Sequence, residues 1–134
     1  MIKGILKLLR FIYLNMDYKI TFMSNYEELD ILNDNIDIKV VLSSNQVYSA
    51  TLYTILNIEE LIANTFPKYF VSADMIIVKD LSYLTINNVI IDIIQKDLMY
   101  LCMSMIGTID QVFSGANSYA NIKDYGSPVT GFYH

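Results

Sequence analysis

From Val47 to Leu81 an alternating strand, a short amphipathic helix and a second apolar strand follow one another with almost no spare residues, and this succession of periods constrains the fold more than any other stretch. Val47 to Tyr53 is rich in β-branched and aromatic residues, as is Ile36 to Leu42 before it, and the turn formers Ser43 to Gln46 lie between them, so an antiparallel hairpin with a four-residue loop is expected. Ile58 to Phe66 then places Ile58, Leu61, Ile62 and Thr65 on one face. Asn57 reads as its N-cap with Glu60 at the third helical position, and Pro67 ends the run. This helix is expected to pack against the hairpin. Strand character resumes over Tyr69 to Val78, most strongly at Met75 to Val78, where four successive apolar residues predict a strand covered on both faces.

The flanks are weaker in pattern. Tyr18 to Met23 alternates as a half-buried strand does, and Ser24 to Asp37 is a polar, acidic loop with room for one helical turn. Leu84 to Ile94 fits an amphipathic helix capped by Ser82 or Thr85, with Asn87, Asn88, Asp92 and Gln95 toward solvent. A further helix is expected from Asp97 to about Ile106, stopped by Gly107. Residues 114–134 read as a loop-rich tail whose aromatics Tyr119, Tyr125, Phe132 and Tyr133 tack it onto the body. Together these elements predict a single α+β domain, a mostly antiparallel sheet of about four strands with helices packed on one face; strand order does not follow from the pattern.

Composition supports one well-packed unit. Apolar residues make up 54% of the 134 and charged ones 17%, which argues against disorder and for a large core or a partner-covered apolar face. A single cysteine, Cys102, excludes an internal disulfide framework and a paired-cysteine zinc site; in its apolar setting it reads as core. The one histidine, His134, closes the sequence as given, so a Ser-His, Cys-His or multi-histidine metal site would have to be built from a tail, which is disfavoured. The formal charge of −5 is unevenly spread. Residues 1–15 hold Lys3, Lys7 and Arg10 and no acid, leaving six bases against fourteen acids, a formal −8, in the rest. An acidic body repels nucleic acid and favours a basic protein partner; a surface kept acidic for solubility is the alternative.

Residues 1–15 have a basic, apolar look, but Lys7 and Arg10 interrupt the run and no small-residue cleavage site follows, so the segment reads as retained rather than as a signal peptide. On a helix, Lys3, Lys7, Arg10 and Leu14 form one stripe among apolar neighbours. Packing on the domain or a partner is the first reading and peripheral membrane contact the second. Met16 is an alternative start. The twelve uncharged residues Leu98 to Ile109 begin after Asp97 and are too few to span a bilayer; they read as a buried helix, and a cytoplasmic protein is expected.

Chemical motifs are sparse. Asn33, Asn35 and Asp37 match the first positions of a calcium loop, but Ile38 stands where glycine is required and Ser44 where a bidentate glutamate should close the site. Neighbouring carboxylates such as Glu27 and Glu28, or Asp34 and Asp37, resemble an acid/base pair without any mark of burial. Phosphate loops, nucleophile elbows and His-Glu-x-x-His helices are lacking, and no cofactor is expected. Asp74 and Asp80 flank the apolar run at Met75 to Val78, as strand-end or capping acids or as the rim of a binding face.

Val47 to Thr54, Asn57 to Leu61 and Lys68 to Leu81, with the helix that follows, resemble a group of small bacterial proteins similar to immunity partners of polymorphic or contact-dependent toxins, over about residues 38–95. The resemblance carries no catalytic residue. It implies a non-enzymatic protein that binds and neutralises a cognate toxin domain, for instance a basic nuclease, through Glu27, Glu28, Asp30, Asp34 and Asp37, with Asp74 and Asp80 at the rim and tyrosines as anchors. Residues 1–15 and those beyond Gly107 have no counterpart in that pattern. The alternative is a self-associating structural or adaptor protein of a mobile element, a homodimer for example, and a third reading is a small enzyme using acidic residues.

Overall fold

The computed structural model describes residues 17–115 and 118–125. Three strands, β1 (Tyr18–Phe22), β2 (Asn35–Leu42) and β3 (Gln46–Thr54), form an antiparallel meander with Ile20 opposite Val40 and Ile38 opposite Ala50. The far edge of β3 is divided between two short strands. β4 (Met75–Val78) runs parallel along Thr51–Thr54, and β5 (Ser104–Thr108) runs antiparallel along Gln46–Ser49. Strict alternation in β2 decides the two faces: Ile36, Ile38, Val40 and Leu42 are buried on one, while Asp37, Lys39 and Val41 point to the other.

The first face carries the main core. After α1 (Ile55–Ala63) and β4, the helix α2 (Tyr83–Gln95) buries Ile86, Ile90, Ile93 and Ile94 against Ile20, Ile38, Val40 and Leu52, with Met99 of α3 (Met99–Cys102) beside them. The second face is covered in part by a smaller cluster. There Val41 and Val47 meet Ile109, at the start of α4 (Ile109–Val112), and Ile122, which follows a 3-10 turn at Tyr119–Asn121. The chain then returns to β1, where Tyr125 N–H donates to the Ile20 carbonyl at 2.9 Å and Ile20 N–H donates to Asp124 Oδ1 at 3.2 Å. The outer edge of β1 is thereby partly paired, which blunts it as a template for further strands.

The expected α+β domain is thus present, with several local differences. The hairpin loop is three residues, Ser43 to Asn45, because Asn45 takes a left-handed φ of 78° and Gln46 already pairs with Thr108. Helix α1 starts at Ile55 rather than Ile58, since the buried Thr54 hydroxyl accepts Asn57 N–H at 3.2 Å and acts as the cap. It packs loosely: Ile58, Leu61 and Ile62 are half-buried and Thr65 lies beyond its end. β4 is not covered on both faces; it lies outside β3 and leaves Ile77 54% exposed. Asn87, placed toward solvent by periodicity, is buried and accepts the Tyr18 hydroxyl at 2.6 Å.

The largest departure follows Asp97. The helix expected over Asp97 to Ile106 is limited to Met99–Cys102, with Asp97 itself at φ 56°, and residues from Ser104 onward become β5. The half of β3 left unpaired by β4 offers backbone groups that a strand satisfies and a helix does not. Gly107 sits at the register shift with φ 148°, where an added Cβ would meet Gln111 Oε1 at 2.9 Å. No helix among the described residues is long and apolar enough to cross a membrane. The expected helix over residues 1–15, and Phe132 and Tyr133, lie outside the described residues.

Candidate functional site

The antiparallel meander and the parallel β4 bring one set of connections to a single end of the sheet: the loop from β1 to β2, the start of α1 and the start of α2. The β1–β2 loop is polar enough to remain in water, yet it is tied down along its length. Asn25 accepts Glu27 N–H at 3.1 Å and opens a 3-10 turn at Tyr26–Glu28, and the Tyr26 hydroxyl donates to the Leu81 carbonyl at 2.5 Å. Asp30 accepts Leu32 N–H at 3.1 Å, an Asx turn. Leu81 N–H donates to the Ile31 carbonyl at 2.8 Å, Asn33 donates to Glu60 Oε1 at 2.9 Å, and Asn35 donates to Asn57 Oδ1 at 2.8 Å. The loop is therefore braced against α1 and against the segment that leads into α2.

Of the carboxylates singled out from sequence, Glu27, Glu28 and Asp30 are exposed on this braced loop. Asp34 is at the same end but is engaged in structure, accepting Asp30 N–H at 3.2 Å and Asn35 N–H at 2.9 Å. Asp80 opens α2: it accepts the Ser82 amide at 3.0 Å and the Ser82 hydroxyl at 2.8 Å, and Lys79 Nζ lies 3.9 Å away. Hydrogen bonds from the Thr85 and Ser82 side chains hold its carboxyl below the usual range against the opposing effect of burial. Its geometry is that of a capping acid.

Asp37 and Asp74 are placed elsewhere. They line a cleft of about 290 Å³ on the second face of the sheet, with Met23, Lys39, Ser49 and Thr51. Asp37 accepts the Thr51 hydroxyl at 2.5 Å, and Asp74, at φ 51°, gives its carbonyl to Thr51 N–H at 2.9 Å. Lys39 reaches the Met23 sulfur. Cys102, packed against the main core, has its thiol pushed up by burial first and then by the charge of Asp74, so it is held as the neutral thiol. Among the described residues, no group of three His, Cys, Asp or Glu side chains is placed to hold a metal ion.

No family model, curated protein or solved structure matches this chain.

The structure adds side chains that charge patterning passes over. Ile31 and Leu32 are 41% and 61% exposed in the middle of the acidic loop, and Ile55 and Leu56, in the first turn of α1, are 54% and 49% exposed at the same end. Exposed carboxylates and exposed aliphatic side chains at one end of the sheet make a surface suited to a protein partner, which pairs apolar anchors with polar groups. Ile31 and Leu32 form an apolar pair inside an acidic loop, a local signal that the sequence carries. Ile55 and Leu56 fall between the expected strand ending at Tyr53 and the expected helix starting at Ile58, and only the Thr54 cap puts them in the first helical turn. An aromatic pocket beside Glu27, formed by Phe22, Tyr26, Tyr83 and Tyr125, joins residues from four separate segments.

Proposed function

We propose that this protein is a non-catalytic immunity protein that binds and neutralises a basic toxin domain, such as a nuclease, through the acidic end of its sheet. The observation that carries the reading is the braced loop on which exposed Glu27, Glu28 and Asp30 are followed directly by exposed Ile31 and Leu32. A loop held by Leu81, Glu60 and Thr54 loses little conformational freedom on binding, and its negative field speeds encounter with a basic surface. Ile31 and Leu32 would supply the desolvated contacts that set the dissociation rate. Asp34 and Asp80 reinforce the field from structural positions, and Asp37 and Asp74 form a second acidic position on the sheet face.

The test is capture of neighbouring gene products by tagged protein, followed by a toxicity assay with and without this chain. One stoichiometric basic protein, silenced by co-expression, is the expected result. Replacing Glu27, Glu28 and Asp30 by their amides should weaken capture by about tenfold or more and flatten its salt dependence. Unchanged capture by that variant would remove the acidic loop from the interface. A second reading, self-association, is favoured by Ile77 and Met105, which are 54% and 51% exposed on the two strands outermost from β3. Sedimentation velocity decides it: a stable homo-oligomer dissociated by Ile77→Lys supports self-association, and a monomer rejects it.

A further inference from the structure

Phe22 at the end of β1, Tyr26 in the 3-10 turn, Tyr83 at the first position of α2 and Tyr125 beyond Asp124 converge at the acidic end. Ring centroids are 4.1 Å apart for Tyr26 and Tyr83, 5.0 Å for Phe22 and Tyr26, and 6.2 Å for Phe22 with either Tyr83 or Tyr125. Tyr26 stacks on both Tyr83 and Phe22, and the cluster so formed, with Tyr125, makes the aromatic wall of a pocket of about 260 Å³ that Ser24, Asn25 and Glu27 complete.

The chemistry of that lining selects a guest. Ring faces present negative potential, and the carboxylate of Glu27 stands at the same wall, close enough that its charge, after burial, raises the Tyr83 phenol. No lysine or arginine among the described residues lines the pocket. The protein already uses this attraction at one of the lining rings, with Lys123 Nζ at 4.8 Å from the Tyr125 centroid. A guanidinium suits the pocket better than an ammonium: it is planar, weakly hydrated, stacks on aromatic faces and leaves N–H groups to bond a carboxylate.

We propose that this pocket receives an arginine side chain of the basic partner, with the guanidinium lying against the aromatic wall that Tyr83 helps to form and Glu27 accepting its N–H groups. This assignment rests on the reading of the acidic end as a protein-binding face.

The experiment is a titration of protein labelled with ¹³C in its tyrosine rings, using N-acetyl-arginine amide, N-acetyl-lysine amide and the uncharged isostere N-acetyl-citrulline amide as probes. Saturable shifts on Tyr26, Tyr83 and Tyr125 with arginine are expected, weaker binding of lysine, and no saturation with citrulline. Glu27→Gln should weaken arginine binding about tenfold, Tyr83→Leu should abolish it, and Tyr83→Phe, which keeps the ring face, should retain it. Equal shifts with citrulline, equal affinity for lysine, or shifts confined to tyrosines elsewhere such as Tyr69 and Tyr100 would overturn the proposal. A captured basic toxin that is lost on replacing Glu28 and Asp30 but indifferent to Tyr83→Leu would overturn the pocket and leave the acidic face standing. Arginine binding in the pocket with no basic protein captured would do the reverse.

Discussion

The two long connections of this fold, residues 23–34 between β1 and β2 and residues 64–74 between α1 and β4, are nearly equal in length and opposite in construction. The first is polar and carries its own anchors, to Leu81, Glu60 and Thr54. The second is apolar where it meets water, with Phe66, Tyr69 and Val71 at 95%, 61% and 74% exposure; it is attached to the body by Phe70, edge-on to Tyr53 at 5.1 Å, and at its very end by the Asp74 carbonyl, which accepts Thr51 N–H at 2.9 Å. Hydrogen bonds spread along a segment define a surface, whereas one ring contact and a bond at the last residue hold it without shaping its middle. A preorganised recognition face belongs on the first kind of connection.

Thr54 is where this contrast breaks most easily. Its buried hydroxyl accepts the Asp34 and Asn57 amides at 3.2 Å each, so one oxygen serves both the acidic loop and the cap of α1. Thr54→Val should cost about 2–3 kcal/mol through two orphaned donors and a lost cap, while Thr54→Ser should restore most of it; urea denaturation measures both. Phe70→Ala should cost about 1–2 kcal/mol, less than a core phenylalanine because the ring is half-buried. Hydrogen exchange should then accelerate across residues 65–74 and remain unchanged across 25–34, and equal acceleration in both would refute the difference in construction.

Asp80 yields a pH-dependent version of the same comparison. Its carboxyl titrates below the ordinary value when folded, so its contribution is complete above that ordinary value and is lost as pH falls through the lowered one. Asp80→Asn should therefore cost about 1 kcal/mol at neutral pH, and the gap from the parent protein should close in acid. A gap that persists at low pH would mean that the charge of Asp80 is not what steadies α2. The smallest effect belongs to the exposed ring of the second connection: Phe66→Ser should change stability by less than about 0.5 kcal/mol. A larger loss would show that Phe66 is packed in solution.

Much of the first face could be read before any coordinates. Alternation at Ile36, Ile38, Val40 and Leu42 places those side chains together because strand geometry repeats every two residues, and the 3.6-residue period of Ile86, Ile90 and Ile93 aims one helix at them. The acidic loop was legible for the same local reason, since carboxylates cluster within a few residues. What was illegible depended on partners distant in sequence. Ser104 to Thr108 has too little pattern to declare itself a strand; it becomes one because β4 covers just the C-terminal half of β3 and the other half still needs hydrogen-bond partners. Asn87 is buried because Tyr18, far from it in sequence, supplies a hydroxyl.

The division runs through the candidate site as well. Local periodicity and charge, which act over a turn of helix or a pair of strand residues, determined the α+β class, the main core and the acidic loop. Tertiary structure decided which carboxylates stand free, since hydrogen bonding commits Asp34 and Asp80 to the framework and moves Asp37 and Asp74 to another face. It also decided that four aromatic residues spread from Phe22 to Tyr125 share one pocket. Such convergence is a property of how strands are ordered and loops closed, and no window of sequence contains it.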